Sequence, residues 1–395
     1  MYDLVKRIIS CVFIRAFARV FARVFALVFA LVFARVFARV FTVLVLIIAG
    51  ALPIVTFAAA PQFQQVKPER ALTLPADYGA HPDFRTEWWY VTGWLNLPDG
   101  KPIGFQITFF RTGTEHDRAN PSAFAPKQLI IAHAALSDPA LGRLQHDQKV
   151  AREGFGLAYA ETDKTNVAID DWHLERLPDG HYQASIRARE FTLQITLTPT
   201  QPPMLQGEAG ISRKGPLPAQ ASYYYSEPHL KATASLTRGA DTVAATGSAW
   251  LDHEWSSSYL DPQAVGWDWV GLNLEQGAAL MAFRMRRQNG EVLFAHAGLR
   301  DASGKITQFP AEQVRFTPLR QWRSPRTDAV YPVAMQLQIG PLTWQLTPLQ
   351  DDQELDSRQS TGAVYWEGAV RVHRDGHSVG QGYLELTGYV KPLKL

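Results

Sequence analysis

The heptapeptide AHAALSD, Ala132–Asp138, returns 163 residues later as AHAGLRD, Ala295–Asp301. Two further matches keep the same order. Upstream of each copy a Leu-Asn-Leu segment runs toward a glycine, Leu95-Asn96-Leu97 to Gly100 and Leu272-Asn273-Leu274 to Gly277. Downstream, TLQITLTP (Thr192–Pro199) resembles TWQLTP (Thr343–Pro348). Three matches in one order point to a tandem duplication, and each copy is about the size of one domain. The texture of the chain says what kind of domain is repeated. Trp88–Trp94, Gly104–Phe110 and Phe191–Leu197 are aromatic and β-branched, which suits strands. Between such runs lie Pro98-Asp99-Gly100, Pro178-Asp179-Gly180, Gln288-Asn289-Gly290 and Asp301-Ala302-Ser303-Gly304, where Gly and Asn supply the positive φ angles of tight hairpins. The expectation is an all-β protein, sandwich or barrel, with a leader over 1–60, a first β domain over 61–235 and a second over 236–395. The first copy carries an added polar loop, Thr112–Lys127, placed where a lid or cavity entrance could sit.

The leader is set apart by charge. Of the net +2 of the 395 residues, 1–60 holds seven basic residues against Asp3 alone, so the remainder carries −4. A mildly acidic body without a basic stripe argues against nucleic acid as a partner. The single cysteine, Cys11, lies in the leader, which leaves the body no disulfide and no thiolate metal site. Val40–Ala60 is uncharged, follows arginines and ends in Ala58-Ala59-Ala60, as an export signal or membrane anchor would. The protein is therefore expected outside the inner membrane, periplasmic or secreted, touching the membrane only through this segment. The four-residue repeat upstream, FARVFARVFALVFALVFARVFARVF, turns its Phe stripe by about 40° per copy on an α-helix and reads as low-complexity expansion.

Common catalytic signatures are missing: no Gly-x-Ser-x-Gly elbow, His-Glu-x-x-His, phosphate loop or dinucleotide fingerprint is present. Chemistry concentrates instead in WLDHEWSSSYL, Trp250–Leu260. On an extended strand Asp252 and Glu254 face one side, His253 and Trp255 the other. Three readings follow. A metal site would require His253 to recruit distant partners such as His133 or His296, and no ligand spacing supports one, so neither metal nor cofactor is expected. At a domain junction, Asp252 and Glu254 could instead accept hydrogen bonds from amides or from Arg284. A proton relay would need an acid desolvated beside aromatic walls, which keeps it protonated near neutrality and stabilises a cation. Asp268, between Trp267 and Trp269, and Glu87, ahead of Trp88, Trp89 and Tyr90, have such neighbours. A closed β domain of this size also leaves room inside for a small apolar ligand.

His81-Pro82 followed by Glu87–Gly93, then Gly247–Trp255, Gly266–Trp269 and Tyr365–Gly368 together resemble the carotenoid 1,2-hydratase (hydroxyneurosporene synthase) and AttH-like family. The likeness spans the chain after the leader. It implies two tandem lipocalin-like β domains in exported bacterial proteins, often described as predicted secreted hydrolases. Its hydratase branch adds water to a terminal isoprenoid double bond without a cofactor. The histidine-x-tryptophan element of that branch is matched by His253 and Trp255. Its tyrosine-x-aspartate element has no match in Leu280–Arg286, and Asp268 stands as the candidate acid in its place. AttH-like members are associated with ABC export, which implies a carrier of a lipophilic molecule as the alternative. Residues expected at the ligand are Glu87, Trp88, Trp89, Tyr90, His133, Trp267, Trp269, Arg284 and His296.

Overall fold

The computed structural model describes residues 2–51 and 63–393, with side chains of the N-terminal helix described from 19 to 43. That helix, α1 (Tyr2–Ala51), forms a unit of its own and runs without a break through the four-residue repeat. Phe21, Phe25, Phe29, Phe33 and Phe37 stack in succession at 5.8–6.5 Å, since residues four apart are neighbours on a helix. Among the described residues Arg19–Val43, of mean hydropathy 2.3, is long and apolar enough to cross a membrane. It overlaps the expected stretch at 40–60 over 40–43, and the side chains of 44–60 lie outside the described residues. The cleavage site expected at Ala58–Ala60 lies outside the described residues.

The second unit is built of strands. In chain order the first sheet comprises β1 (Thr86–Asn96), β2 (Pro102–Gly113), β3 (Gln128–Ser137) and β4 (Leu144–Arg152). Five shorter strands follow: β5 (Ala158–Ala160), β6 (Asn166–Ile169), β7 (Trp172–Arg176), β8 (Tyr182–Arg187) and β9 (Thr192–Thr198). The sheet is completed by β10 (Met204–Leu205), β11 (Ile211–Arg213) and a long hairpin, β12 (Ala221–Arg238) and β13 (Asp241–Ser258). The second sheet comprises β14 (Gly266–Leu274), β15 (Ala279–Arg286), β16 (Val292–Arg300), β17 (Ile306–Phe309), β18 (Val314–Arg323), β19 (Val330–Ile339), β20 (Leu342–Pro348), β21 (Glu354–Ser357), β22 (Ala363–Arg374) and β23 (His377–Leu386).

The two sheets repeat one topology. The spatial order β4-β3-β2-β1-β13-β12-β9-β8-β7 of the first is matched by β17-β16-β15-β14-β23-β22-β20-β19-β18 in the second. Each is an antiparallel meander closed by its last hairpin onto its first strand. The sequence repeats fall on equivalent strands: His133 on β3 and His296 on β16, Leu95 and Leu272 near the ends of β1 and β14, Thr192 and Thr343 on β9 and β20. Each sheet curls back on itself. Lys149 on β4 reaches Asp170 and Asp171 between β6 and β7 at 2.7 and 2.5 Å, and Arg284 on β15 donates to the Phe316 carbonyl of β18 at 2.8 Å. The result is two tandem lipocalin-like β barrels. The β12–β13 hairpin closes the first of them, so the sheets part between Ser258 and Gly266, downstream of the join expected at residue 236.

The barrel interiors are packed. Trp89, Trp172, Tyr182, Tyr223, Tyr225 and Trp255 fill the first and are essentially unexposed, while Val270, Leu337, Trp366 and Leu384 are among those filling the second. The hollow expected inside the barrel is thus occupied by aromatic side chains. A third apolar cluster lies between the sheets and draws from both: Tyr90, Trp94, Tyr224 and Trp250 meet Trp269, Met281, Phe283 and Tyr383. We refer to it as the seam. The added loop after β2 lies at the surface, where Phe124 packs 5.3 Å from Phe155.

Candidate functional site

The alternation of β13 divides its residues between two environments, as the pleat requires. Leu251 and Trp255 join the first barrel's core, whereas Trp250 faces the seam, and Asp252 lies on that same face. Asp252 Oδ1 accepts from Trp250 Nε1 at 2.7 Å and from Ser226 Oγ at 2.5 Å. Burial pushes its carboxyl up to about 7 against these bonds. Glu254 is held by Lys214 Nζ at 2.8 Å and by Ser222. Arg284, proposed as the partner of both acids, is engaged elsewhere. Trp88 and Tyr90 stand opposite Glu254 and Asp252 on β1, so both belong to the seam, and Trp88 sits 5.4 Å from Tyr259.

The second sheet adds two acids. Glu367 on β22 and Glu385 on β23 are directly opposite each other across the strand pair. Glu367 accepts a hydrogen bond from Tyr90 of the first sheet, and its other oxygen is buried with no partner among the described residues. Burial, and then the charge of Glu385, drive the Glu367 carboxyl well above the ordinary carboxylate range. Glu385 is raised to about 7 by burial, offset by a Trp267 hydrogen bond and reinforced by the charges of Asp252, Glu254 and Asp268. Carboxyls so desolvated and mutually repelling keep protons near neutrality. Aromatic faces surround them: Trp269 meets Tyr90 edge-on at 5.2 Å and donates to the Tyr224 hydroxyl at 3.1 Å. Gly271 permits this packing, since a Cβ there would lie 2.5 Å from the Trp269 ring and 3.0 Å from Trp250. Trp88, Trp267, Leu260 and Phe294 are partly exposed at the seam's edge.

On the other face of β13 lies a separate polar cluster. His253 Nε2 is 2.9 Å from Glu87 Oε1, and His81 Nδ1 is 2.7 Å from the same oxygen. Glu87 Oε2 accepts from Arg111 Nε and from the His81 amide, both at 2.8 Å. Burial alone would raise the Glu87 carboxyl, but His81 and Arg111 together with both imidazole hydrogen bonds outweigh it and hold it well below the ordinary range. The His253 ring is flanked by Trp89, stacked at 4.7 Å, and His81 stacks on Trp255 at 3.7 Å. The ligand atoms of His81, Glu87 and His253 all lie within 4.8 Å of one another, a set able to hold a metal ion. His133 and His296, the distant partners a metal at His253 was expected to require, are not among these three.

The remaining candidates lie outside the acid pair and the histidine cluster. Asp268 is on the inward face of β14, opposite to its tryptophan neighbours, and accepts from Arg284 Nε at 2.6 Å, Arg286 Nε at 2.9 Å and the Tyr389 hydroxyl at 3.0 Å. It anchors an ion-pair network inside the second barrel, and its Trp neighbours turn the other way because successive strand residues do. His133 joins the barrels through Tyr365 and Ser360, both at 2.8 Å. His296, on β16, packs 6.3 Å from Phe283 of the seam. Glu385 stands in no sequence motif, and Glu367 stands in one only as part of Tyr365–Gly368. A signal was present: the closing strands β13 and β23 each carry a Leu-acid pair, Leu251-Asp252 and Leu384-Glu385.

Comparison with known proteins agrees with this architecture. A family model described as AttH-like matches residues 65–389. The crystal structure of a candidate AttH from Nitrosomonas europaea is 60% identical, covers 83% of this chain and 100% of its own, and superposes with a TM-score of 0.79. Kievitone hydratase from Nectria haematococca shares the fold at 16% identity, covering 84% of this chain and 98% of its own with a TM-score of 0.63. None of the curated proteins matches the chain.

Proposed function

This chain belongs to the AttH-like family, and we propose that it is a hydratase-like protein that binds an apolar isoprenoid or lipid-like molecule in its seam and adds water to a carbon–carbon double bond. The observation carrying this reading is the Glu367–Glu385 pair, opposed across two strands, set among tryptophans and tyrosines, with Asp252 close enough for its charge to be felt. A neutral carboxyl donates its proton to the less substituted alkene carbon, leaving a tertiary cation. The π faces of Tyr90, Trp250 and Trp269 stabilise that cation. Water bonds to it through oxygen and releases a proton to the carboxylate just formed. Alkene and water become an alcohol, and the acid is restored. His253 and Trp255, facing the first barrel, position β13 from behind.

The apolar helix segment Arg19–Val43 supports export to, or anchoring at, the inner membrane, with the body periplasmic or secreted. There a non-catalytic carrier working beside an ABC transporter would also act, binding in the same seam without turnover. Incubation with a terminal isoprenoid alkene, followed by mass spectrometry, separates the two. Hydration adds the mass of one water in the wild type, while Glu385→Gln and Asp252→Asn still bind the alkene and leave it unchanged. Binding without mass gain in the wild type would support the carrier. Cleavage of a test ester into two products would support a secreted hydrolase instead.

A further inference from the structure

We propose that His81, Glu87 and His253 form a binding site for one divalent transition-metal ion, with zinc the best match to the donor set. Two imidazoles and one carboxylate, leaving further positions open, are a donor set that zinc takes readily. The three ligand atoms come from different segments: His81 from the stretch preceding β1, Glu87 from β1 and His253 from β13. In a tetrahedral zinc site neighbouring ligand atoms stand about 3.4 Å apart. The Glu87 Oε1 separations of 2.7 and 2.9 Å would have to open by about half an ångström, and the two imidazole nitrogens, no more than 4.8 Å apart, would have to settle at the same spacing.

The surroundings are those of a supported site. Metal-bound histidines present their second ring nitrogen to a fixed polar partner. Here His81 Nε2 faces Asp77 Oδ1 at 3.1 Å, and His253 Nδ1 faces the Tyr225 hydroxyl at 3.1 Å. Asp77 is itself held by Arg70 and by the Thr73 amide. The carboxylate is equally prepared, because Arg111 and the His81 amide occupy Oε2 and leave Oε1 to the ligand. Arg111 also donates to the carbonyls of His81 at 2.9 Å and Phe84 at 2.8 Å, holding the segment before β1 in place for coordination. His81 keeps 11% of its side chain exposed, which marks the side from which an ion would enter. Bound there, the ion would clip the segment before β1 onto the first barrel.

The test uses the tag-free full-length chain, stripped with a chelator and dialysed against zinc. Elemental analysis is expected to return one zinc per chain, and cobalt in its place should give the visible bands of a low-symmetry nitrogen–oxygen site. His81→Gln should abolish uptake, and Asp77→Asn should weaken it by about 10–100-fold through loss of the second-sphere partner. Both residues precede β1, so these variants remain informative even where His253→Gln fails to fold. Zinc should raise the melting temperature of the wild type and leave that of His81→Gln unmoved. No zinc taken up by the stripped wild type, or equal uptake by His81→Gln, would overturn the site and show a cluster held by protons alone.

Discussion

Replacing Asp252 with Asn should change how stability depends on pH, in a direction fixed by the seam. The carboxyl titrates at about 7 in the fold against an ordinary value of 3.8, raised chiefly by burial and opposed by hydrogen bonds from Ser226, Trp250 and Tyr224. Between those values the native state holds a proton that the unfolded chain has lost, so stability falls as pH rises. The contribution is fully present below the lower value and gone above the upper one. A displacement of about three units corresponds to about 4 kcal/mol. Asparagine cannot ionise, yet its amide oxygen can still accept from Ser226 Oγ and Trp250 Nε1, which both reach Oδ1. Near pH 4 the variant should therefore lie within about 1 kcal/mol of the wild type, the usual scale of a rearranged hydrogen bond. By about pH 8 it should be the more stable protein, the difference having moved by up to about 4 kcal/mol. Urea unfolding of both proteins at several pH values across this window measures the difference directly. A gap that stays constant with pH would refute a desolvated, proton-holding Asp252.

Three further outcomes follow from the same geometry. Arg111→Met leaves Glu87 buried without its guanidinium and should cost about 3–5 kcal/mol in chemical denaturation, part of which returns when Glu87→Gln is added. Asp268→Asn removes the anion shared by Arg284 and Arg286 and should lower the melting temperature, as followed by thermal unfolding. Burial holds His133 down at about 3, against 6.5 when unfolded, so its contribution to stability is present above 6.5 and is lost as pH falls toward 3. His133→Gln, able to bond Tyr365 and Ser360 without charging, should shift the acid-unfolding midpoint to lower pH, as followed by tryptophan fluorescence.

The fold was legible because its signals are local and repeated. Hairpin turns at Gly100, Gly180, Gly290 and Gly304 do adopt positive φ, and the twin AHA motifs fall on equivalent strands. Strand alternation also foretold that Asp252 and Glu254 would turn away from His253. What alternation cannot supply is the partner across the sheet. Glu87 and His253 are brought together by the pairing of β1 with β13, two strands far apart in the chain, as the 166-residue separation of their hydrogen bond records. The same limit hides the partners of Asp268. Flanking tryptophans suggested an aromatic pocket, but neighbours in a strand face opposite sides, and the residues that surround Asp268 come from β15 and the chain after β23. Glu385 was hidden because a lone glutamate in a strand looks like a solvated one until a second sheet covers it.

A crystal structure of the chain soaked with an apolar isoprenoid alcohol tests the location of the site most directly. Density between the two sheets, with its hydroxyl within hydrogen-bond distance of Glu385, Glu367 or Asp252 and its hydrocarbon against Tyr90 and Trp269, is the expected result. Density inside either barrel, or a seam that stays closed while the same alcohol binds elsewhere on the protein, would contradict it.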